Sequence, residues 1–341
     1  MQNGELLSFK SLSASIGADP MLVQGAGGNT SIKIGSQIWV KASGTWLQNA
    51  LTDEIFIPID LRKFNRKLNP NIFELDPSKF SINSKRPSIE MLLHVIMPQK
   101  VIVHTHAVEV LSILVRQGSE SKIRTIIGDQ LNWMFVEYVK PGNELAEKIF
   151  SKISTKKNTP DILFLESHGL VLATETVDEA QKLIQIIKRK FKSTPNYRNK
   201  DFNVPLGKEI MDVLKNKNYK IMKNPELEML VKNKMLLLRV KKNWQLYPDH
   251  VVFLGATPVI IDKSSTAIGL DRELETQPPF VFVSGNSIFQ SKNCSKAQIA
   301  QLKCYYEVII RCPDKEPLLN LGTMDISKLL NWDAEKYRKN L

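Results

Sequence analysis

Short apolar runs alternate with segments of helical periodicity over the first 195 residues, and this alternation constrains the fold more than any other feature. VIVHTH (101–106) and DILFLESHG (161–169) have the composition and length of strands. Apolar residues recur at helical spacing in RPSIEMLLHVIM (86–97) and VEVLSILVRQ (108–117). Such a succession predicts a mixed α/β domain in which helices cover a sheet.

An irregular segment, STPNYRNKDFNVPLG (193–207), interrupts this pattern, and its Pro, Asn and Gly content is typical of a linker. Beyond it, MLLLRV (235–240) has the composition of a strand, and AQIAQLKCYYEVIIRC (297–312) has helical periodicity. The sequence therefore predicts two domains, at residues 1–195 and 208–341, and the second is a smaller α/β extension.

The apolar runs, the N-terminal sequence and the cysteines indicate the cellular compartment that we expect for this protein. No apolar run approaches the roughly 18 residues that span a bilayer, and MQNGELLSFKSLSASIG at the N-terminus lacks the features of a signal peptide. The three cysteines, Cys294, Cys304 and Cys312, have no C-x-x-C spacing, which argues against a disulfide framework or a cysteine zinc site. We expect a cytoplasmic protein without a membrane partner.

The chain is basic, with a formal net charge of +12. The charge is spread through both parts of the chain, and no recognisable DNA- or RNA-binding motif accompanies it, so we expect no nucleic-acid partner. The densest basic run, KLIQIIKRKFK (182–192), is typical of a solvated helix face. A diffuse positive field also suits a small anionic substrate such as a sugar phosphate.

Two histidines lie one residue apart in the strand VIVHTH. Alternate strand residues face the same side, so His104 and His106 project together and offer a metal two imidazoles. Zinc takes three or four N, S or O ligands, and His168, at a strand end before Gly169, is the best candidate for the third. For the H-x-H pair alone, packing in the core is an equally good interpretation.

Glu90 lies on the first turn of the helix before that strand, where a carboxylate could act as acid or base. A glutamate at a helix N-terminus is also favoured by its interaction with the helix dipole. For Glu90 taken alone, this is the better interpretation. His94, four residues later, forms a rival partial ligand set with Glu90, although we expect His94 to pack beside the helix.

Two turns of small residues, QGAGGNTSIK (24–33) and KASGTW (41–46), could bring backbone N–H groups close to an anion. Ser88 could donate to the same anion. The turns match neither the P-loop nor the dinucleotide-binding pattern, and each on its own is also explained as a tight hairpin turn.

Six motifs in this order, GGNTS, KASGTW, PSIE, HTHAV, EYVKPG and ESHGLV, resemble the class II aldolase/adducin family, whose best-known enzymes are zinc-dependent fuculose- and rhamnulose-phosphate aldolases. The resemblance implies a three-layer α/β/α domain with a mixed, mostly antiparallel central sheet. It also implies that His104, His106 and His168 bind zinc or another divalent ion and that Glu90 is a catalytic acid/base. It further implies contacts to a substrate phosphate from Gly28, Asn29, Ser43, Gly44 and Ser88.

Tyr138 matches a tyrosine that reaches into a neighbouring subunit's site in the fuculose type, so the resemblance also implies a homo-oligomer, a tetramer by analogy. The sequence departs from the family where Ile89 replaces a second serine before Glu90, and where the C-terminal region extends beyond the short aldolases. These departures put a phosphorylated substrate in question.

The resemblance implies a lyase of carbohydrate metabolism, an aldolase that cleaves a ketose phosphate or related hydroxy-carbonyl compound reversibly through a zinc-stabilised enediolate. A sugar-phosphate 4-epimerase and a dehydratase of the same family are alternatives that differ by few side chains. A non-catalytic, adducin-like binding module is a third alternative, and the complete set of three histidines and Glu90 favours an enzyme over it.

Overall fold

The computed structural model describes residues 2–64, 71–195 and 202–339. The chain forms two compact units: the first comprises Met1–Ser193 together with Asn331–Leu341, and the second Thr194–Leu330. The predicted linker spans 193–207, of which residues 196–201 lie outside the described residues. The predicted second domain spans 208–341, and the last part of that range, from Asn331, groups with the first unit.

In its described residues, the first unit has seven strands and six α-helices before the chain enters the second unit. The strands are β1 (Asn29–Ile34), β2 (Gln37–Lys41), β3 (Phe56–Asp60), β4 (Val101–Thr105), β5 (Trp133–Val136), β6 (Ile162–Leu165) and β7 (Gly169–Thr174). The helices are α1 (Gln2–Ala18), α2 (Met91–Ile96), α3 (Val108–Leu114), α4 (Ser119–Ile127), α5 (Asn143–Ser154) and α6 (Val177–Phe191).

The seven strands form one sheet in the order β3-β2-β1-β4-β7-β6-β5. Every neighbouring pair is antiparallel except β5 and β6, which run parallel. The predicted mixed, mostly antiparallel sheet is therefore confirmed. β4 lies at its centre, and the register pairs His104 with Asn29 on one side and with Val171 on the other.

Helices cover both faces of this sheet, which confirms the three-layer α/β/α prediction. Helices α2 and α5 pack on one face, and α1, α3 and α6 pack on the other. Because both faces are covered, every residue of β4 is buried, including Ile102 and Val103 on opposite sides. In α5, Leu145, Ala146 and Ile149 recur at helical spacing and point into the core.

The second unit has a sheet of four strands, surrounded by helices. The elements are α7 (Lys208–Asn216), β8 (Tyr219–Ile221), α8 (Pro225–Lys232), α9 (Lys234–Lys242), α10 (Pro248–Leu254), β9 (Val259–Ile261), α11 (Ala267–Glu273), β10 (Phe280–Val283), β11 (Ile288–Ser291), α12 (Lys296–Ile309) and α13 (Thr323–Leu330). The strand order is β8-β11-β10-β9, in which only the β10–β9 pair is parallel. A smaller C-terminal α/β region was predicted, and this is confirmed.

The strand prediction for MLLLRV was wrong, because these residues lie in helix α9. The Asn233 side chain accepts hydrogen bonds from the backbone N–H groups of Met235 and Leu236, which is the geometry of a helix N-cap. Leu236 and Val240 are buried one turn apart, whereas Leu238 between them is exposed. The Asn233 cap favours a helix start at Lys234, and the composition of the apolar run alone does not reveal it.

The chain returns to the first unit after α13. The Trp332 indole packs against Gly142, where an added Cβ would lie 2.8 Å from the ring, and the Lys140 ammonium lies 4.0 Å from the centroid of the indole. In the following helix, α14 (Asp333–Lys339), Tyr337 lies 4.3 Å beneath the Arg86 guanidinium. This segment therefore covers the surface formed by the loops at 86–89 and 140–142.

Among the described residues, no helix combines the length and the apolar character that a membrane crossing requires.

Candidate metal and active site

Three buried histidines meet at the end of the central strand. His104 lies on β4, His106 directly follows it, and His168 lies in the turn between β6 and β7. One ring nitrogen from each lies within 4.8 Å of the other two. The structure thus brings together the three residues that the resemblance assigned to a metal.

The β6–β7 turn places His168 beside β4. Ser167 adopts the left-handed conformation at φ 48°, and the backbone N–H of His168 donates to the carbonyl oxygen of Leu165 at 3.1 Å. A Cβ at Gly169 would lie 2.5 Å from the Thr105 carbonyl oxygen and 3.1–3.2 Å from the His106 and His104 rings. Only a glycine therefore lets the hairpin close onto the histidines.

The hydrogen bond of His104 determines which of its nitrogens faces the site. Its Nδ1 lies 3.0 Å from the carbonyl oxygen of Leu170. A carbonyl only accepts, so Nδ1 carries the proton and Nε2 presents a lone pair. That lone pair faces His106 Nε2 and a carboxylate oxygen of Glu90, each at 3.2 Å.

Glu90 lies at the N-cap of α2, and its carboxylate reaches both His104 and His168. One oxygen lies 3.2 Å from His104 Nε2, and the other lies 3.3 Å from His168 Nε2. Burial raises the pKa of Glu90, but positive charge at His104 and His168 and a hydrogen bond from Asn29 more than offset it, and the pKa falls to about 2. When Nε2 of His104 is bare, that positive charge must come from a cation next to the rings instead of from a ring proton. Glu90 is therefore ionised at neutral pH.

These residues fit a divalent metal ion. A bare imidazole nitrogen and a carboxylate oxygen that face each other at 3.2 Å are both acceptors, so the contact is favourable only with a proton or a cation between them. Three imidazoles with a carboxylate are the donors that zinc and neighbouring transition metals bind. His104, His106 and His168 could hold such an ion, with Glu90 next to it.

The predicted anion-binding turns lie next to one another. Ala42 pairs with Pro87, and the backbone N–H of Ser43 donates to the Arg86 carbonyl at 2.8 Å, which joins the KASGTW turn to the segment before Glu90. Gly28, at φ +59°, lies so close to β4 that a Cβ would be 2.9 Å from the His104 carbonyl oxygen.

Ser88 also contributes to this region. Its hydroxyl accepts a hydrogen bond from the backbone N–H of Glu90 at 3.3 Å. Gly44 has φ +78°, the left-handed conformation that favours glycine in a tight turn. Contacts from Gly28, Ser43, Gly44 and Ser88 to a phosphate stay predictions.

Asn29 has a second set of partners that the sequence did not indicate. Its Nδ2 donates to Glu90 Oε2 at 2.9 Å, and its Oδ1 contacts His94 Nε2. The Asn29 side chain is thus engaged with the carboxylate, and its predicted phosphate contact stays a prediction. His94, expected to pack beside the helix, is fully buried and bonds through both ring nitrogens, the other to Ser31 Oγ at 2.8 Å.

Tyr138 lies just after β5, where its backbone N–H donates to Glu166 Oε2 at 3.1 Å. Its hydroxyl oxygen is buried within its own chain. The role at a neighbouring subunit's site that the resemblance implied stays a prediction.

Lys41 also lies at the candidate site, although the sequence did not indicate it as a site residue. Its side chain is only 2% exposed, and its ammonium donates to the Ala26 carbonyl at 3.0 Å, so it joins the two turns of small residues. The available signal was its place at the start of KASGTW, as the last residue of strand β2.

Known proteins are similar to the part of the chain that carries this site. Residues 14–193 match the family described as "Class II Aldolase and Adducin N-terminal domain". YuxG of Bacillus subtilis, named an uncharacterized oxidoreductase, is 34% identical over a 189-residue alignment that covers 50% of this chain. The matched region is only 27% of YuxG.

Solved structures resemble the first part of the chain. The N-terminal class II aldolase domain of a conserved protein from Thermoplasma acidophilum is 28% identical, with a TM-score of 0.44, over 54% of this chain and 90% of that one. A sugar-phosphate aldolase from Thermotoga maritima is 14% identical, also with a TM-score of 0.44, over 56% of this chain and 93% of that one.

Proposed function

Because this chain belongs to the class II aldolase and adducin N-terminal domain family, we propose that it is a metal-dependent aldolase. It cleaves a ketose phosphate or related hydroxy-carbonyl compound reversibly into two carbonyl products. The observation that carries the proposal is the convergence of an ionised Glu90 on the bare Nε2 of His104, in a buried site with His106 and His168.

Cleavage next to a carbonyl needs stabilisation of negative charge on oxygen and movement of one proton. A divalent ion held by His104, His106 and His168 supplies the first as a Lewis acid when it is bound, and we propose zinc. Glu90 supplies the second. Its pKa of about 2 means that it is a carboxylate before the reaction begins. In the condensation direction this carboxylate removes a proton from the carbon next to the carbonyl, and in the cleavage direction the proton that leaves the reacting hydroxyl is returned to that carbon by Glu90.

The substrate is anionic in this proposal. The turns that contain Gly28, Ser43 and Gly44 lie beside the segment before Glu90, and backbone N–H groups at such turns can contact a phosphate or carboxylate. The Lys41 side chain, whose nitrogen donates to the Ala26 carbonyl, lies next to them and can add a hydrogen-bond donor to an anion. It supports an anionic group although Ile89 stands where the family has a second serine.

The proposal extends to the assembly and location of the protein. We propose a cytoplasmic homo-oligomer in which Tyr138 serves a neighbouring site. Of the three free cysteines, Cys304 and Cys312 are buried, which fits a reducing compartment.

Two measurements on the purified full chain test the proposal. Elemental analysis should find a stoichiometric divalent ion that His104→Ala loses and His250→Gln retains, because His250 is an equally buried histidine of the second unit. A panel of ketose phosphates and free ketonic acids should then release aldehyde. Metal retention in His104→Ala contradicts the site. Product formation without aldehyde release indicates a 4-epimerase or a dehydratase, and absence of any turnover indicates a binding module.

A further inference from the structure

We infer that His94, with Ser31, fixes the orientation of the Asn29 amide against Glu90, and that His94 is thereby a positioning residue for the proposed base. The hydrogen-bond directions follow from the structure alone. Their catalytic consequence rests on the proposed function.

The first step is the direction of the Asn29 amide. Asn29 Nδ2 lies 2.9 Å from Glu90 Oε2 and donates to it, and the two carboxylate oxygens lie 3.2 and 3.3 Å from ring nitrogens of His104 and His168. The amide carbonyl oxygen then faces the other way, toward His94 Nε2. Glu90 thus removes the ambiguity between the two ends of the amide.

The second step is the tautomer of His94. An amide oxygen only accepts, so His94 Nε2 must carry a proton. The ring is fully buried, and this desolvation lowers the pKa of His94 to about 3, so the ring is neutral near pH 7. His94 Nδ1 is therefore bare and accepts the hydroxyl proton of Ser31, which lies 2.8 Å away.

These bonds form a chain with a single direction. Ser31 donates to His94, His94 donates to Asn29, and Asn29 donates to Glu90. Asn29 and Ser31 share one face of β1 because they are two residues apart, and His94 follows Glu90 by one helical turn. One strand and one helix thus supply all four groups, and all four side chains are buried.

Without His94, the Asn29 oxygen loses the hydrogen bond from Nε2 that keeps it on the side away from Glu90. The amide can then rotate and place its oxygen against the carboxylate, where two acceptors repel. The carboxylate moves away from His104 and His168, so the damage falls on proton transfer more than on substrate binding. Outer partners of this kind typically change activity by about 10- to 100-fold.

The tautomer is measured directly by ¹⁵N NMR of histidine-labelled full chain. We expect His94 as the neutral Nε2–H form with Nδ1 bare, unchanged between pH 6 and 8, and a shift of Nδ1 in Ser31→Ala. An Nδ1–H tautomer, or an imidazolium at pH 7, overturns the inference. This outcome needs no turnover, so it is separate from failure of the proposed function.

The positioning role is tested by kinetics of two variants. His94→Leu should lower kcat by about 10- to 100-fold with little change in KM, whereas His94→Gln, whose amide N–H can still donate to Asn29, should recover most of the loss. His250→Leu is the matched control, since it replaces an equally buried histidine in the second unit. Equal kcat values for His94→Leu and wild type, or equal losses in Leu and Gln, overturn the role.

Discussion

Gly169→Ala tests whether close packing of the β6–β7 hairpin sets the geometry of the three histidines. The added Cβ would lie 2.5 Å from the Thr105 carbonyl oxygen, against about 3.4 Å for an ordinary contact, so the hairpin must retreat by about 0.9 Å, the difference between these distances. A functional constellation tolerates about 0.5 Å. His168 retreats with the hairpin, so we expect metal affinity to fall by about 10- to 100-fold.

The same overpacking should lower the free energy of unfolding by about 1–3 kcal/mol. Competition with a chromophoric chelator measures the affinity, and urea unfolding measures the stability. Gly4→Ala is the control, because its Cβ meets nothing within 4 Å in helix α1, and alanine there should stabilise by about 0.5–1 kcal/mol. Unchanged metal affinity in Gly169→Ala would refute the argument that this glycine holds His168 in place.

Three further changes follow from contacts described above. Glu90→Gln should retain the metal but lower kcat by about 10²- to 10⁴-fold, measured by aldehyde release, and an unaltered kcat would exclude Glu90 as the base. Burial lowers the pKa of His250 from 6.5 to about 3, as it does for His94, so the neutral form of His250 stabilises the fold above pH 6.5 and that stability is lost as pH falls toward 3. Between pH 7.5 and 5, His250 should contribute about 2 kcal/mol to the loss measured in urea unfolding, and His250→Phe should make the loss smaller by that amount. Trp332→Ala should lower the stability of the first unit by about 1–3 kcal/mol through lost packing on Gly142, and unchanged thermal unfolding would contradict that contact.

The sequence predicted the first unit well because its signals are local. Periodicity distinguishes strand from helix within a few residues, and the alternation in VIVHTH places His104 and His106 on one face without any knowledge of the fold. That His168 joins them depends on the pairing of β4 with β7. Its position at a strand end made His168 the best candidate for a third ligand, and the resemblance assigned it to the metal.

Other features depend on contacts between distant residues. His94 and Asn29 are 65 positions apart, and neither one's pattern reveals that they share a hydrogen bond. MLLLRV was mistaken for a strand because the deciding signal is the side chain of Asn233, outside the apolar run. Lys41 has the spacing of an ordinary strand residue, and its burial follows only from the turn that contains Ala26.

The return of residues 331–339 to the first unit has a consequence for the order of biosynthesis. The surface around Gly142, next to Ile89, is complete only after Trp332 has been made. At 5–20 residues per second, translation from 194 to 339 lasts roughly 7–30 s. During this interval the sheet can form, but Gly142, which lies next to the Ile89 carbonyl, lacks the packing of the Trp332 indole. In a nascent chain that stops before Trp332, the surface around Gly142 would therefore stay uncovered. A late truncation would in this way impair the packing of the first unit, although most of that unit is made first.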